Sequence, residues 1–222
     1  MRKRIRHPQE PIADLEAVLQ YDRGAKLYMM PLYKHFVWKI LRKGYRSGRI
    51  LDIGTGPGLL PIELTKVKKA NIQIVGIDIS ENMIKKAREN ARATGVGEKV
   101  AFQVAAGDRL PFSDNSFDLV ISSASLHHWS DPVAVLDEIQ RVAKENGHFI
   151  IRDGRRLQGI FPRLLVRFVA GFMFNGHRRR WSKAILAGYT IPEVREIVQR
   201  SRLKNWQLKT DFAFLNLCIE SA

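Results

Sequence analysis

The run Arg49-Ile50-Leu51-Asp52-Ile53-Gly54-Thr55-Gly56-Pro57-Gly58 sets glycine at every second position behind an apolar strand and ahead of an apolar helical run. Glycines so spaced let a ligand lie against bare backbone, and the following helix turns its first N–H groups and positive dipole end toward that ligand. The pattern reads as a small-molecule binding loop. It is not the dinucleotide fingerprint G-x-G-x-x-G: counted from Gly54, the third glycine of that pattern falls on Leu59, whereas here it falls on Gly58. A second β-rich run over 72–77 ends in Asp78, where a doubly wound sheet sets an acid against ribose hydroxyls. A third strand over 100–104 leads to Gly107-Asp108-Arg109-Leu110-Pro111-Phe112, and a fourth runs over 116–122. All four strand ends fall on one edge of such a sheet. Taken singly, each feature has a structural reading, as turn glycines or as a capping acid. Their convergence on one edge is what carries the functional one.

With LDIGTGPG at 51–58, GIDIS at 76–80, GDRLPF at 107–112, SFDLVISSASLHHWSDP at 116–132 and ENGHFIIRD at 145–153, the chain resembles the class I S-adenosylmethionine-dependent methyltransferases of the type 11 group. The five motifs cover roughly the middle half of the chain in the family's order. The resemblance implies S-adenosylmethionine as cofactor and assigns roles by position. Asp52 and the backbone of Gly54, Gly56 and Gly58 would hold the methionine end, Asp78 the ribose, and Ile79 and Met83 the adenine ring. Asp108, flanked by Gly107 and Arg109, would bond the adenine amino group, and Ser122 and Ser123 would line the methionine and acceptor side. Pro57 stands where the family usually has Ser or Cys; proline fits the first turn of a helix, so the change is expected to be tolerated.

Methyl transfer from a sulfonium is an in-line displacement, so the protein's task is to align the reactants and exclude water; a base is required only if the acceptor must lose a proton. No metal site is expected. His127 and His128 stand at the expected mouth of the site and have two readings, general base or packing. Tyr28, in an Ala25-Lys26-Leu27-Tyr28 segment that resembles the N-terminal A-x-x-Y of quinone C-methyltransferases, offers a ring to a sulfonium or is a core aromatic.

These residues must be carried by an alternation of strands and helices, which predicts an α/β, Rossmann-like, seven-stranded and mostly parallel sheet with helices on both faces. Helices are expected over 58–68, 81–93 and 132–144, a fifth strand over 148–152, a helix to about residue 200, and closing strands near 206–210 and 212–219. One domain is expected, divided into a helical N-terminal cap (1–47), a core (48–154), an insertion (155–190) and a closing helix with strands (191–222). The insertion carries Ile160, Phe161, Leu164, Leu165, Phe168, Val169, Phe172 and Met173 on one helical stripe, which suits a lid over an acceptor or a membrane-surface helix.

The 222 residues carry a net charge of +15, an excess that favours polyanions or anionic surfaces and says nothing of fold. The first six residues and the acid-free stretch from Arg155 to Lys183 supply much of it. A single cysteine, Cys218, rules out internal disulfides and cysteine-rich metal sites and reads as a core thiol. With no secretory or membrane-spanning segment, a cytoplasmic protein is expected. The sequence after the fourth strand, Ser122-Ser123-Ala124-Ser125, lacks the Asn/Asp-Pro-Pro-aromatic pattern of adenine-N6 and glutamine methylation. Cytosine-C5 and arsenic chemistry lack their cysteines. The leading expectation is a methyltransferase for a small, anionic or apolar membrane-associated acceptor. The rivals are an RNA methyltransferase that tracks phosphates with Arg178-Arg179-Arg180-Trp181 and Arg2-Lys3-Arg4, and a protein that binds S-adenosylmethionine without turnover.

Overall fold

A computed structural model describes residues 14–67, 71–156, 187–211 and 216–222. The first element is one long helix in three parts: α1 (Leu15–Gly24), a π-helical turn (Ala25–Met29) and α2 (Met30–Arg42). Asp14 caps it by accepting from the Glu16 and Ala17 amides. Pro31 explains the widened turn. It has no N–H for the carbonyl four residues earlier, so the α ladder cannot continue, yet the backbone stays right-handed through Ala25, Met29 and Met30.

The sheet order is β3-β2-β1-β4-β5-β7-β6, with β1 Ser47–Ile53, β2 Asn71–Asp78, β3 Val100–Val104, β4 Phe117–Ser123, β5 Ala143–Gly154, β6 Trp206–Asp211 and β7 Asn216–Ser221. Neighbours pair in parallel except at β7, which runs antiparallel to both β5 and β6. Strand order reverses between β1 and β4, so the carboxyl ends of these two strands open a crevice at the switch point. The helices α3 (Leu59–Thr65), α4 (Glu81–Ala93), α5 (Pro132–Val142) and α6 (Ile191–Arg200) cover the two faces.

Alternation along the strands feeds two cores. Ile50, Ile74, Leu119, Ile121 and Ile150 face the side closed by α2, α3 and α4, where Phe36, Ile40, Leu64 and Ile84 are fully buried. Leu51, Ile53, Ile77, Val120 and Ile151 face the opposite side, against Leu136, Ile139, Val194 and Val198 of α5 and α6. Both sides being covered is why these strands read as nearly continuous apolar runs.

Several boundaries differ from expectation. α3 is confined to 59–65, and α5 ends at Val142 because β5 begins at Ala143, five residues ahead of the expected start. A register shift between Phe117 and Leu119 absorbs the extra residues. The closing strands shift to 206–211 and 216–221. The apolar stripe of the 155–190 insertion, with most of its basic residues, lies outside the described residues, as does Arg2-Lys3-Arg4. The described residues on either side of 157–186 are held together: the Arg156 amide donates to the Tyr189 carbonyl at 2.9 Å, and Arg155 bridges to Tyr189. Arg156 does not belong to a solvent-facing basic patch; it is buried and paired with Glu193, which also closes a capping box with Thr190 at the start of α6. Cys218 is fully buried, as a core thiol should be. Among the described residues no helix is long and apolar enough to cross a membrane, and no His/Cys/Asp/Glu group is arranged to hold a metal.

Candidate functional site

The loop after β1 holds all three glycines at positive φ: Gly54 at 72°, Gly56 at 53° and Gly58 at 75°. Their surroundings differ. A Cβ on Gly54 would lie 2.1 Å from the Ser125 hydroxyl, and one on Gly58 would meet the Phe102 ring at 2.7 Å and Ala87 at 2.9 Å. These two glycines are therefore required by packing inside the protein. Gly56 alone opens toward the crevice, where the nearest atom is on the Tyr21 ring at 3.8 Å. The glycine amides are used internally: Gly54 N–H donates to the Ile77 carbonyl, Gly58 N–H to Thr55, and Gly56 N–H to the Asp78 carboxylate at 2.9 Å. Pro57 precedes α3 instead of entering its first turn, since Gly58 is the capping residue. Its fit comes from a carbonyl that accepts from Asn90 at 2.9 Å.

Asp52 and Asp78 end adjacent strands and flank this loop. Asp52 is buried, and its carboxyl is pushed up to about 7, chiefly by burial and further by the charge of Asp78, with the Thr55 hydroxyl drawing it back. Asp78 is likewise raised by burial, against the pull of backbone N–H bonds from Ser80, Gly56 and Ile79. Among the described residues neither carboxylate has a basic side chain within ion-pair distance. Buried Asp52 beside half-buried Asp78, with no counter-charge among the described residues, favours a ligand bringing positive charge of its own.

A small cleft opens beside Asp52, lined by Tyr21, Tyr33, Asp52, Gly54, Thr55, Gly56, Pro57, Leu60 and Ser123. Tyr21 and Tyr33 come from the N-terminal helix, one on either side of the π turn. Burial raises the Tyr33 hydroxyl well above the ordinary phenol range, with Tyr21 and Asp52 adding to the effect. The helix is fastened to the loop by a buried network. Asn90 of α4 donates to Asp22 at 2.8 Å and to Pro57, while Lys26 donates to Asp22 at 2.7 Å and to Asn90 at 2.8 Å.

The other expected residues are distributed around the crevice. Ser80 caps α4 through the Met83 amide, burying Met83 and leaving Ile79 half-exposed beside Asp78. Gly107 packs against Ile53 and Val135, whereas Asp108 and Arg109 are exposed. Ser122 faces away from the crevice, fully buried with its hydroxyl donated to the Ile53 carbonyl at 2.8 Å, while Ser123 lines the cleft. Tyr28 sits half-buried in the π turn and is not among the cleft-lining residues; Tyr21 and Tyr33 stand there instead.

Beyond β4 the chain takes a left-handed step at Ala124 (φ 58°) and enters a 3-10 turn, Leu126–His128. Ser125 accepts from the Trp129 indole at 2.8 Å, which fixes the turn from below. His127 is buried and its Nδ1 lies 2.8 Å from Asp153 Oδ1 at the end of β5; its amide donates to the same carboxylate at 2.7 Å. Burial alone would raise Asp153, but the charge and hydrogen bonds of His127 outweigh it and hold the carboxyl below the usual range. An ionised Asp153 accepts from the Nδ1 proton, which fixes the orientation of the ring. His128 is exposed, its ring 4.0 Å from that of His127. Asp153, Tyr21, Tyr33 and Asn90 were not expected from sequence. Asp153 enters the sequence reading only as the last residue of ENGHFIIRD, an acid ending the fifth apolar run as Asp78 ends the second.

The cleft, the acid pair and the strand order are accompanied by similarity at the sequence level. A family model described as a methyltransferase domain matches residues 46–184. The chain is 32% identical over 121 residues, 54% of its length and 51% of the relative's, to the ubiquinone/menaquinone biosynthesis C-methyltransferase UbiE of Geotalea uraniireducens. It is 30% identical over 161 residues, 72% of its length and 55% of the relative's, to the 27-O-demethylrifamycin SV methyltransferase of Amycolatopsis mediterranei. It thus spans about half the length of the curated relatives it matches. A crystal structure of a Methanococcus maripaludis protein assigned to the S-adenosylmethionine-dependent methyltransferases superimposes with a TM-score of 0.73 at 20% identity, covering 100% of this chain and 97% of that one. The chain belongs to the methyltransferase domain family, as a class I member whose cofactor is S-adenosylmethionine.

Proposed function

We propose that the protein transfers a methyl group from S-adenosylmethionine to a small-molecule acceptor, with His127 as the base. The observation that carries the cofactor half is buried Asp52 beside half-buried Asp78, with no basic side chain of the described residues within ion-pair distance of either, which suits a ligand holding a sulfonium and an ammonium. The bound cofactor supplies an electrophilic methyl group. Asp52 holds the ammonium, and Asp78 accepts from the ribose with the lone pairs that Gly56 and Ser80 leave open. Ile79 and Met83 pack on the adenine, with Gly107, Asp108 and Arg109 at its far edge. Tyr21 and Tyr33 exclude water from the methionine end, and their ring faces suit a neighbouring cation. Tyr28 retains only a supporting place behind them.

His127 Nε2 takes the proton of the acceptor as its nucleophilic atom attacks, and Asp153 stabilises the resulting imidazolium through Nδ1. That arrangement suits a hydroxyl or an acidic C–H acceptor, in keeping with relatives named for an O-methyl and a C-methyl transfer. His128, exposed beside it, meets the acceptor from outside. The test is transfer of labelled methyl to small-molecule extracts and, separately, to RNA. His127→Gln and Asp153→Asn should each reduce turnover by about 10²-fold or more, flatten its acid limb and leave cofactor affinity within about twofold. Label appearing only in RNA would overturn the small-molecule reading, and unchanged turnover in both variants would remove His127 as the base.

A further inference from the structure

The N-terminal helix presents Tyr21, Tyr33, Phe36 and Ile40 inward, and its outward face has a composition of its own. Of the four large apolar side chains that the described residues expose, three are on this helix: Leu15 at 51%, Leu27 at 67% and Trp38 at 50%. Exposed Arg23, Lys34 and Arg42 fall between and beyond them, so that 15, 23, 27, 34, 38 and 42 follow at helical spacing along one ridge. Between Asp22 and Asp52 the sequence has eight Lys or Arg and no acid. Lys26 turns to Asp22, Lys39 and Lys43 turn in to Glu220, and Arg49 lies over the Phe117 ring, leaving Arg23, Lys34, Arg42 and Arg46 to set the sign of the outer surface.

The geometry around Trp38 separates two kinds of polyanion. His35, one turn before, stacks on the indole at 5.4 Å and 28°, and the Arg42 guanidinium, one turn after, lies 4.9 Å from its centroid. With a helix neighbour on each side, the ring is not a platform for a nucleic-acid base, which needs an open face. An indole with a guanidinium against it on an apolar ridge is instead the arrangement suited to a lipid–water boundary.

We propose that the outward face of residues 15–42 docks on an anionic lipid bilayer, with Leu27 and Trp38 entering the headgroup boundary and Arg23, Lys34 and Arg42 meeting lipid phosphates. The proposal does not rest on methyl transfer. It adds to that reading a helix whose inner face closes the cofactor cleft and whose outer face sets the cleft about one helix diameter, roughly 10 Å, from a membrane.

The experiment is vesicle flotation of the full chain, with phosphatidylcholine alone against phosphatidylcholine mixed with phosphatidylglycerol. Binding should require the anionic lipid. The doubles K34E/R42E and L27S/W38S should each weaken it by about tenfold or more, whereas K85E/K99E, an equal charge change on exposed residues elsewhere, should alter it by no more than about twofold. All three should melt like the parent. Equal loss in K85E/K99E and K34E/R42E would reduce the effect to net charge and overturn the proposal. So would parental binding by L27S/W38S, binding to tRNA in place of vesicles, or a dimer that L27S/W38S dissolves while vesicles remain unbound. None of these results depends on turnover, so failure here leaves the catalytic reading standing, and the reverse holds.

Discussion

Asp52 is the residue at which structure and ligand binding oppose each other most directly. Its carboxyl titrates at about 7 in the folded protein against an ordinary 3.8. The fold therefore holds a proton that the unfolded chain releases between these values, and stability contributed by the neutral form is complete below about pH 4 and is lost as pH rises toward 7. A cationic ligand favours the ionised form and reverses the preference. Cofactor binding near pH 6 should release a proton, seen as a calorimetric enthalpy that changes with buffer ionisation heat, and affinity should rise with pH until about 7. Asp52→Asn should remove both effects. The variant should also be more stable than the parent at pH 8 without ligand, by an amount on the order of 1–3 kcal/mol, while binding the cofactor at least about tenfold more weakly. An Asp52→Asn protein with parental affinity would place the ammonium elsewhere.

At the scale of elements, the decisive unit is the contact between the N-terminal helix, the glycine loop and α4. Asn90 joins the three, with donors used on Asp22 and Pro57 and its oxygen on Lys26. Asn90→Ala leaves a carboxylate that is 3% exposed with one partner fewer and a buried carbonyl with none of its side-chain donor. A loss of about 2–3 kcal/mol is expected. Hydrogen exchange should accelerate over 15–42 and over the loop at 54–58 more than in β4 and β5, and cofactor affinity should fall because Tyr21 and Gly56 move together. Little of this was legible beforehand. The glycine spacing announced a loop, and alternating apolar runs announced the strands, because each depends on neighbours in sequence. Which glycine faces the ligand depends on Ser125, Phe102 and Ala87, which the fold brings from far along the chain. The His127–Asp153 pair, 26 residues apart, and the Asp22–Asn90 pair, 68 apart, were hidden for the same reason. The early start of β5 was obscured because Lys144-Glu145-Asn146-Gly147 is polar and has no strand pattern of its own.

Across the whole molecule, a net charge of +15 means that each buried carboxylate works against a general repulsion. Glu220 is the clearest case. It is 1% exposed on β7, and it gathers Lys39 and Lys43 from the first long helix and Lys209 from β6, at 3.6, 3.3 and 2.8 Å. The opening and closing elements of the described chain thus meet at one side chain, across the sheet end where β7 reverses direction. Burial would raise its carboxyl, but the hydrogen bond from Lys209 and the charges of Lys39 and Lys43 hold it below 4.5. Its contribution is therefore fully present above pH 4.5 and is lost as pH falls through the depressed folded value. Glu220→Gln keeps the shape and removes the charge. The lysines keep partial access to water, which limits the loss to about 1–2 kcal/mol, or a melting point lower by roughly 2–8 °C at pH 7. Added salt should narrow that gap by screening the uncompensated lysines. Thermal melts of the two proteins should converge as the pH is lowered toward 3, where the parent carboxyl is also taking up its proton. A constant difference from pH 3 to pH 8 would mean that Glu220 acts by packing, and that the N-terminal helix and the last two strands are joined by the apolar core alone.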